Sequence, residues 1–119
     1  MHRMEVDPAT GLVEVTVEGF WDVNYVDGFS RELAAATTRA RSRGKPSLVL
    51  CDYSRAAIQP QEVVGALQRM VQDPIHHSRR VACYTEGRLA TMQARRVASV
   101  RDDMRVFEDR RSALAWLMG

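Results

Sequence analysis

Cysteine, lysine and long apolar runs are scarce in this 119-residue chain, and each scarcity excludes something. The two cysteines, Cys51 and Cys83, are too few for a disulfide framework. Both sit inside apolar runs, where a reduced thiol acts as a small core residue of a cytosolic protein. No apolar run approaches the ~18 residues a membrane span needs, so a transmembrane protein is not expected. Met1-His2-Arg3-Met4-Glu5 lacks the apolar h-region of a secretory signal, and the expected location is cytoplasmic. The seven glycines stand singly, in neither Rossmann nor P-loop spacing, so no phosphate loop is expected. His76 and His77 are adjacent but have no third ligand at helical spacing, so no metal is expected. Nothing brings nucleophile, base and oxyanion donor together, which points away from an enzyme and from any cofactor.

What is present is ordinary for a globular domain: 45% apolar and 27% charged residues, enough for one domain spanning residues 1–119. Of the 17 basic residues only Lys45 is lysine. Residues 1–78 hold 8 basic and 10 acidic groups, a net of −2, and residues 79–119 hold 9 and 5, a net of +4. That excess is too small and dispersed for a nucleic-acid footprint and reads mainly as solvated helix faces.

Periodicity orders the elements. Met4 to Val6 is extended, and Asp7-Pro8-Ala9-Thr10-Gly11 has turn chemistry. Val13, Val15 and Val17 alternate with Glu14, Thr16 and Glu18, so a hairpin is predicted. Val26, Phe29, Leu33, Ala36 and Ala40 follow helical spacing, with Asp22 as cap, Arg43 on the wet side, Gly44 after the last turn and Pro46 as stop. Ser47 to Cys51 reads as a strand covered on both faces, and Asp52 to Gln59 as a loop leading to a helix that opens at Pro60. Val63, Val64, Leu67, Met70 and Val71 line that helix. A strand over Arg79–Thr85, a weakly patterned helix from Glu86 to about Ser99 with Leu89, Met92 and Val97, and a strand over Met104–Phe107 follow. Asp109 caps a last helix whose Ala113, Leu114 and Leu117 face inward. The order β-β-α-β-α-β-α-β-α implies an α/β fold, a single layer of mixed five-stranded sheet with four helices.

This order resembles the STAS domain of bacterial anti-sigma-factor antagonists and anion-transporter tails, and more closely its free-standing SpoIIAA-like branch. Gly19-Phe20-Trp21-Asp22 entering the first helix carries the likeness, with Leu48-Val49-Leu50-Cys51-Asp52 and the ending Met104 to Leu117. The resemblance implies a phospho-acceptor two residues after an aspartate in an Asp-Ser-Ser-Gly type of pattern. Asp52 fits, and Ser54 falls on the acceptor position. Tyr53 and Arg55 depart from the small hydroxyl residue and the glycine.

Two functions stay open at this point. The first is a non-enzymatic bacterial regulatory or protein-interaction module with a protein partner of unknown identity. The second is a small-ligand or lipid carrier, since Phe20, Trp21, Tyr25, Phe29, Tyr53, Ile58, Val63 and Met70 are expected to line an apolar cleft between the first two helices. Aromatics at helical spacing are more often core. The charge-poor stretch from Ala56 to Gln61 reads as a flexible lip for such a cleft. Trp116, Leu117 and Met118 crowd the final turn and point to a homodimer contact, or to a lid closing the core against the first helix.

Overall fold

Asp7 begins the first turn of the chain. Its carboxylate accepts from the Ala9 N–H at 3.0 Å, and Gly11, at φ 79°, donates back to the Asp7 carbonyl at 2.9 Å. The left-handed backbone at Gly11 is one that a side chain would disfavour. This turn joins β1 (His2–Asp7) to β2 (Leu12–Gly19) as an antiparallel hairpin. The computed structural model describes residues 1–41, 46–76 and 78–119. The expected places of Arg43 on the wet side of the first helix and of Gly44 after its last turn, and that of His77, lie outside the described residues.

The remaining elements are α1 (Val23–Arg41), β3 (Ser47–Ala56), α2 (Gln61–Gln72), β4 (Ser78–Tyr84), α3 (Arg88–Ala98), β5 (Met104–Phe107) and α4 (Arg110–Met118). The five strands form one sheet in the order β1-β2-β3-β4-β5, antiparallel only between β1 and β2. The mixed α/β fold is therefore the one the sequence implies. Asp22 caps α1 by accepting from the Tyr25 N–H at 2.7 Å, and Asp109 caps α4 by accepting from the Ser112 N–H at 2.7 Å. In both cases a carboxylate satisfies an amide that the first turn leaves without a helical partner.

Alternation along the strands divides the core in two. Val13, Val15, Val17, Val49, Val81 and Cys83 face α1, α2 and α3 in the larger cluster. Leu48, Leu50 and Ala82 face the other way and pack with Ala113 and Leu117 of α4. Central β3 is consequently covered on both faces, with Leu48, Val49 and Leu50 all buried. Each such side chain contributes about 1.5–3 kcal/mol of burial. α4 covers only the β3–β5 side of its face. Beside it, Arg3, Glu5, Glu14 and Thr16 are left on an open polar half-face, which explains why β2 alternates so cleanly.

One element differs from the periodicity reading, and another shows why its pattern is weak. β3 does not end at Cys51 but runs ten residues to Ala56. Its polar half stays in the sheet because Asp52 pairs with Tyr84, and Arg55 and Ala56 still pair with Glu18 and Gly19 beyond a register shift in β2. In α3, Leu89 and Met92 are exposed, and Ala94, Val97 and Ala98 make the buried stripe. The helix starts just after β4 has ended, so its first turns have no strand beneath them.

Candidate functional site

Because β2 to β5 are parallel, their C-terminal ends share one edge of the sheet, where ligand and partner sites of open α/β sheets collect. Ser54 lies there, exposed, near the end of β3. Its hydroxyl donates to Asp52 Oδ1 at 2.6 Å, and its N–H donates to the same oxygen at 2.9 Å. Asp52 also meets the Tyr84 phenol, whose pKa is raised first by burial and then by the Asp52 charge. Beyond them, Arg110 is paired with Glu14, which raises the guanidinium pKa further. This row belongs to the open polar half-face, on the side of the sheet that α4 covers. Ser54 is not at a helix start: α2 begins at Gln61 with Pro60 as its cap. A phosphate on Ser54 would therefore meet the Asp52 carboxylate rather than the N–H groups of a helix end.

The segment between β3 and α2, expected as a flexible lip, is instead clasped. Buried Gln59 accepts from the Trp21 N–H at 2.8 Å and donates to the carbonyls of Gly19 at 2.8 Å and Ala57 at 3.0 Å. Gln93 of α3 closes the arrangement: its Oε1 accepts from the Gln59 N–H at 2.8 Å and its Nε2 donates to the Gln59 carbonyl at 2.9 Å. The Tyr53 hydroxyl donates to Gln93 as well, at 3.3 Å. Three chain segments are thus tied at one point, and unpaired backbone groups in a buried loop are avoided. The sequence marks neither glutamine, since a single Gln carries no pattern in a loop, where Gln59 lies, or on a weakly patterned helix, where Gln93 lies.

The clasp leaves large apolar side chains outside it. Phe20 is 75% exposed, Leu89 66%, Met92 55% and Ile58 45%. All four lie on segments that follow the C-terminal ends of β2, β3 and β4, next to the Gln59–Gln93 bonds. This corrects the cleft reading for Phe20 and Ile58. They precede and follow the residues that the clasp draws inward, so their own side chains are turned to solvent.

Under the clasp, between the sheet and α1 to α3, lies a cavity of about 70 Å³. Trp21, Phe29, Tyr53 and Met70 line it, with Val15, Val49 and Val81 of the sheet. Burial pushes the Tyr53 phenol far up. Tyr25 is not among the lining residues. It packs on Trp21 with ring centres 4.5 Å apart, and its hydroxyl is 2.8 Å from His2 Nδ1. Val63, fully buried, belongs to the surrounding core and not to the cavity wall. Cys51 and Cys83 also face the cavity as register partners on β3 and β4. The neighbouring Cys83 thiol, together with burial, pushes the Cys51 thiol up and makes it a poor nucleophile.

At the last helix the expected apolar trio is split. Leu117 is buried in the smaller core cluster, because α4 presents Ala113 and Leu117 to the sheet. Trp116 is half-buried, 5.7 Å from the Phe107 ring, with the Arg80 and Arg105 guanidiniums over it at 4.9 and 5.4 Å. It lies on the sheet face opposite α1 and does not close the core against that helix. Met118 alone of the three is exposed. Buried His76 is hydrogen-bonded to Ser30 through Nε2 at 2.9 Å. Among the described residues no group of three or more histidine, cysteine, aspartate or glutamate side chains is placed to hold a metal ion.

Comparison with known proteins is informative at the level of fold. Neither a protein-family model nor a curated protein sequence matches the chain. Among solved structures, an uncharacterised protein of the DUF3478 family with a SpoIIAA-like fold, from Shewanella loihica PV-4, superposes with a TM-score of 0.68. The match is 18% identical and covers 98% of this chain and 92% of that one. An anti-sigma factor antagonist from Mycobacterium paratuberculosis superposes with a TM-score of 0.65 at 13% identity, covering 100% and 96% of the two chains.

Proposed function

We propose that this SpoIIAA-like fold serves as a non-enzymatic regulatory module that docks a protein partner on the C-terminal edge of its parallel strands. Four exposed apolar side chains on that edge, Phe20, Ile58, Leu89 and Met92, carry the reading. They are held from behind by the Gln59–Gln93 bonds, so a partner would meet a surface already ordered, and binding would cost less conformational freedom. Apolar groups rimmed by polar ones are the usual anatomy of a protein contact. The partner best supported by the antagonist neighbour is an anti-sigma factor, in a cytoplasmic setting. No helix of the described residues is long and apolar enough to cross a membrane.

In this reading Ser54 is a modification site beside the contact. A phosphoryl group there would place a second negative charge against Asp52 and disturb the row that runs to Tyr84 and Arg110. Titration calorimetry with the anti-sigma factors of the source bacterium tests the reading. The parent chain is expected to bind at least one. Phe20→Asp and Leu89→Asp, each at an exposed site, are expected to weaken binding at least about tenfold, the effect of ~1.4 kcal/mol. Absence of binding to every anti-sigma factor, or equal binding by the variants, would overturn it. Docking does not depend on phosphate at Ser54, and incubation of the complex with ATP, with Ser54→Ala as control, tests that modification separately.

A further inference from the structure

We propose that the cavity between the sheet and α1 to α3 is a binding site for a small neutral hydrocarbon. Protein interiors are packed so closely that voids larger than a water molecule are few. A volume of roughly 15 Å³ suffices for one water, and this cavity measures about 70 Å³. Water does not suit it, because a buried water needs two to four polar partners. The walls are valine, leucine, methionine and aromatic carbon, with the two cysteine sulfurs. The polar side chains at its ends are already engaged. Gln59 is held by Trp21 and Gly19, Thr37 donates to the Ala34 carbonyl at 3.1 Å, and His76, also in the wall, is bonded to Ser30 through Nε2 at 2.9 Å. Arg101 is paired with Asp103 and donates to both the carbonyl and the hydroxyl of Ser78, another polar lining residue. A charged or strongly hydrogen-bonding head group would be buried there without partners.

Size narrows the class further. An apolar cavity of about 150 Å³ admits benzene or xenon and stays dry otherwise. Half that volume selects an occupant smaller than benzene, such as xenon or a short alkane. Trp21, Tyr53 and Gln59 are at once cavity wall and part of the clasp behind the exposed edge. An occupant that braces them would stiffen the surface proposed above for a partner. That consequence rests on the docking reading, whereas the binding site itself does not.

Xenon titration of the ¹³C-methyl-labelled chain, followed by NMR, tests the site. Saturable shifts are expected at the methyls of Val15, Val49, Leu67 and Val81, with no comparable response at Met118. Val49→Ile and Val81→Ile each add one methylene to the wall while keeping a β-branched strand residue. They are expected to weaken xenon binding about tenfold, the discrimination one methylene gives in a tight apolar site. Butane is expected to compete with xenon. Octanoate is not, because its carboxylate would have to be buried. Shifts that rise linearly without saturation, unchanged binding in both filled variants, or competition by octanoate would each overturn the assignment. Phe20→Asp is expected to bind xenon like the parent, so loss of docking and loss of the cavity ligand remain distinguishable.

Discussion

Gln59 concentrates more of the site's order than any aromatic residue around it. Its side chain satisfies the Trp21 N–H and the Gly19 and Ala57 carbonyls, and its own backbone is satisfied by Gln93. Gln59→Leu keeps the volume and strips the bonds, leaving the buried Trp21 N–H without its partner, while the Gly19 carbonyl keeps the Ala57 N–H. A loss of about 3 kcal/mol is expected in urea unfolding. Gln93→Leu is expected to cost less, because Gln93 serves the Gln59 backbone and Tyr53 only. Asp109 offers a second test at this scale. Its carboxyl is held below the ordinary carboxylate range, mainly by the Ser112 N–H. A group with a lowered folded pKa stabilises the fold above its unfolded pKa, and that contribution fades as pH falls through the folded one. Asp109→Ala is therefore expected to melt below the parent at pH 7 and to approach it as pH drops beneath the usual carboxylate range. Asp109→Asn, still a good cap, should melt close to the parent at pH 7. Thermal scans across pH check both.

Among the elements, strong periodicity was legible and local polarity was misleading. The valine alternation of β2 and the helical stripe of α1 each had a long apolar pattern, and both elements stand where the pattern puts them. The second half of β3 had no such pattern. Asp52, Ser54 and Arg55 read as loop residues, yet pairing with β2 and β4 keeps them extended, and that pairing is a tertiary effect no local window contains. α3 stands where a helix is expected, but its weak pattern does not mark its buried face. Its largest apolar residues, Leu89 and Met92, face solvent, and its contact with the sheet is made by small ones. Leu89→Ala and Met92→Ala are accordingly expected to change stability by no more than about 0.5 kcal/mol. Val97→Ala should cost about 2 kcal/mol by opening the buried side. Chemical denaturation of the three variants separates the faces. The cavity wall was half legible, since aromatics mark an apolar core but do not tell whether that core is full.

The whole molecule is a sheet with unequal backing: three helices on one face and a single nine-residue helix on the other. Among the described residues α4 is thereby the helix that covers Leu48, Leu50 and Ala82. Ending the chain before Trp116 removes Leu117 and the Trp116 contacts to Phe107, Arg80 and Arg105. That truncation is expected to lower the melting temperature by 10 °C or more on the order-of-magnitude scale of a small domain, and not merely to change association. A homodimer through this helix would have to rest on Met118 and the outward side of α4 beside Arg110 and Arg111. If that face pairs two copies, Met118→Glu converts dimer to monomer in sedimentation without unfolding either. An unchanged sedimentation coefficient would remove the last helix as the contact.

The strand order has a consequence for how the molecule is made. Each strand lies beside the one that precedes it in sequence, so every strand leaving the ribosome finds its neighbour already synthesised. The sheet can then grow one edge at a time from the amino-terminal hairpin, without waiting for a distant segment to be threaded between existing strands. Its weak moment comes late. Once β3 and β4 have paired, Leu48, Leu50 and Ala82 form a bare apolar surface until the final nine-residue helix emerges. Nascent chains stalled after β4 are expected to recruit a chaperone that releases them when α4 is added. Ribosome profiling of chaperone-bound chains would locate that release, and a release already complete at β4 would show that the bare face needs no guardian.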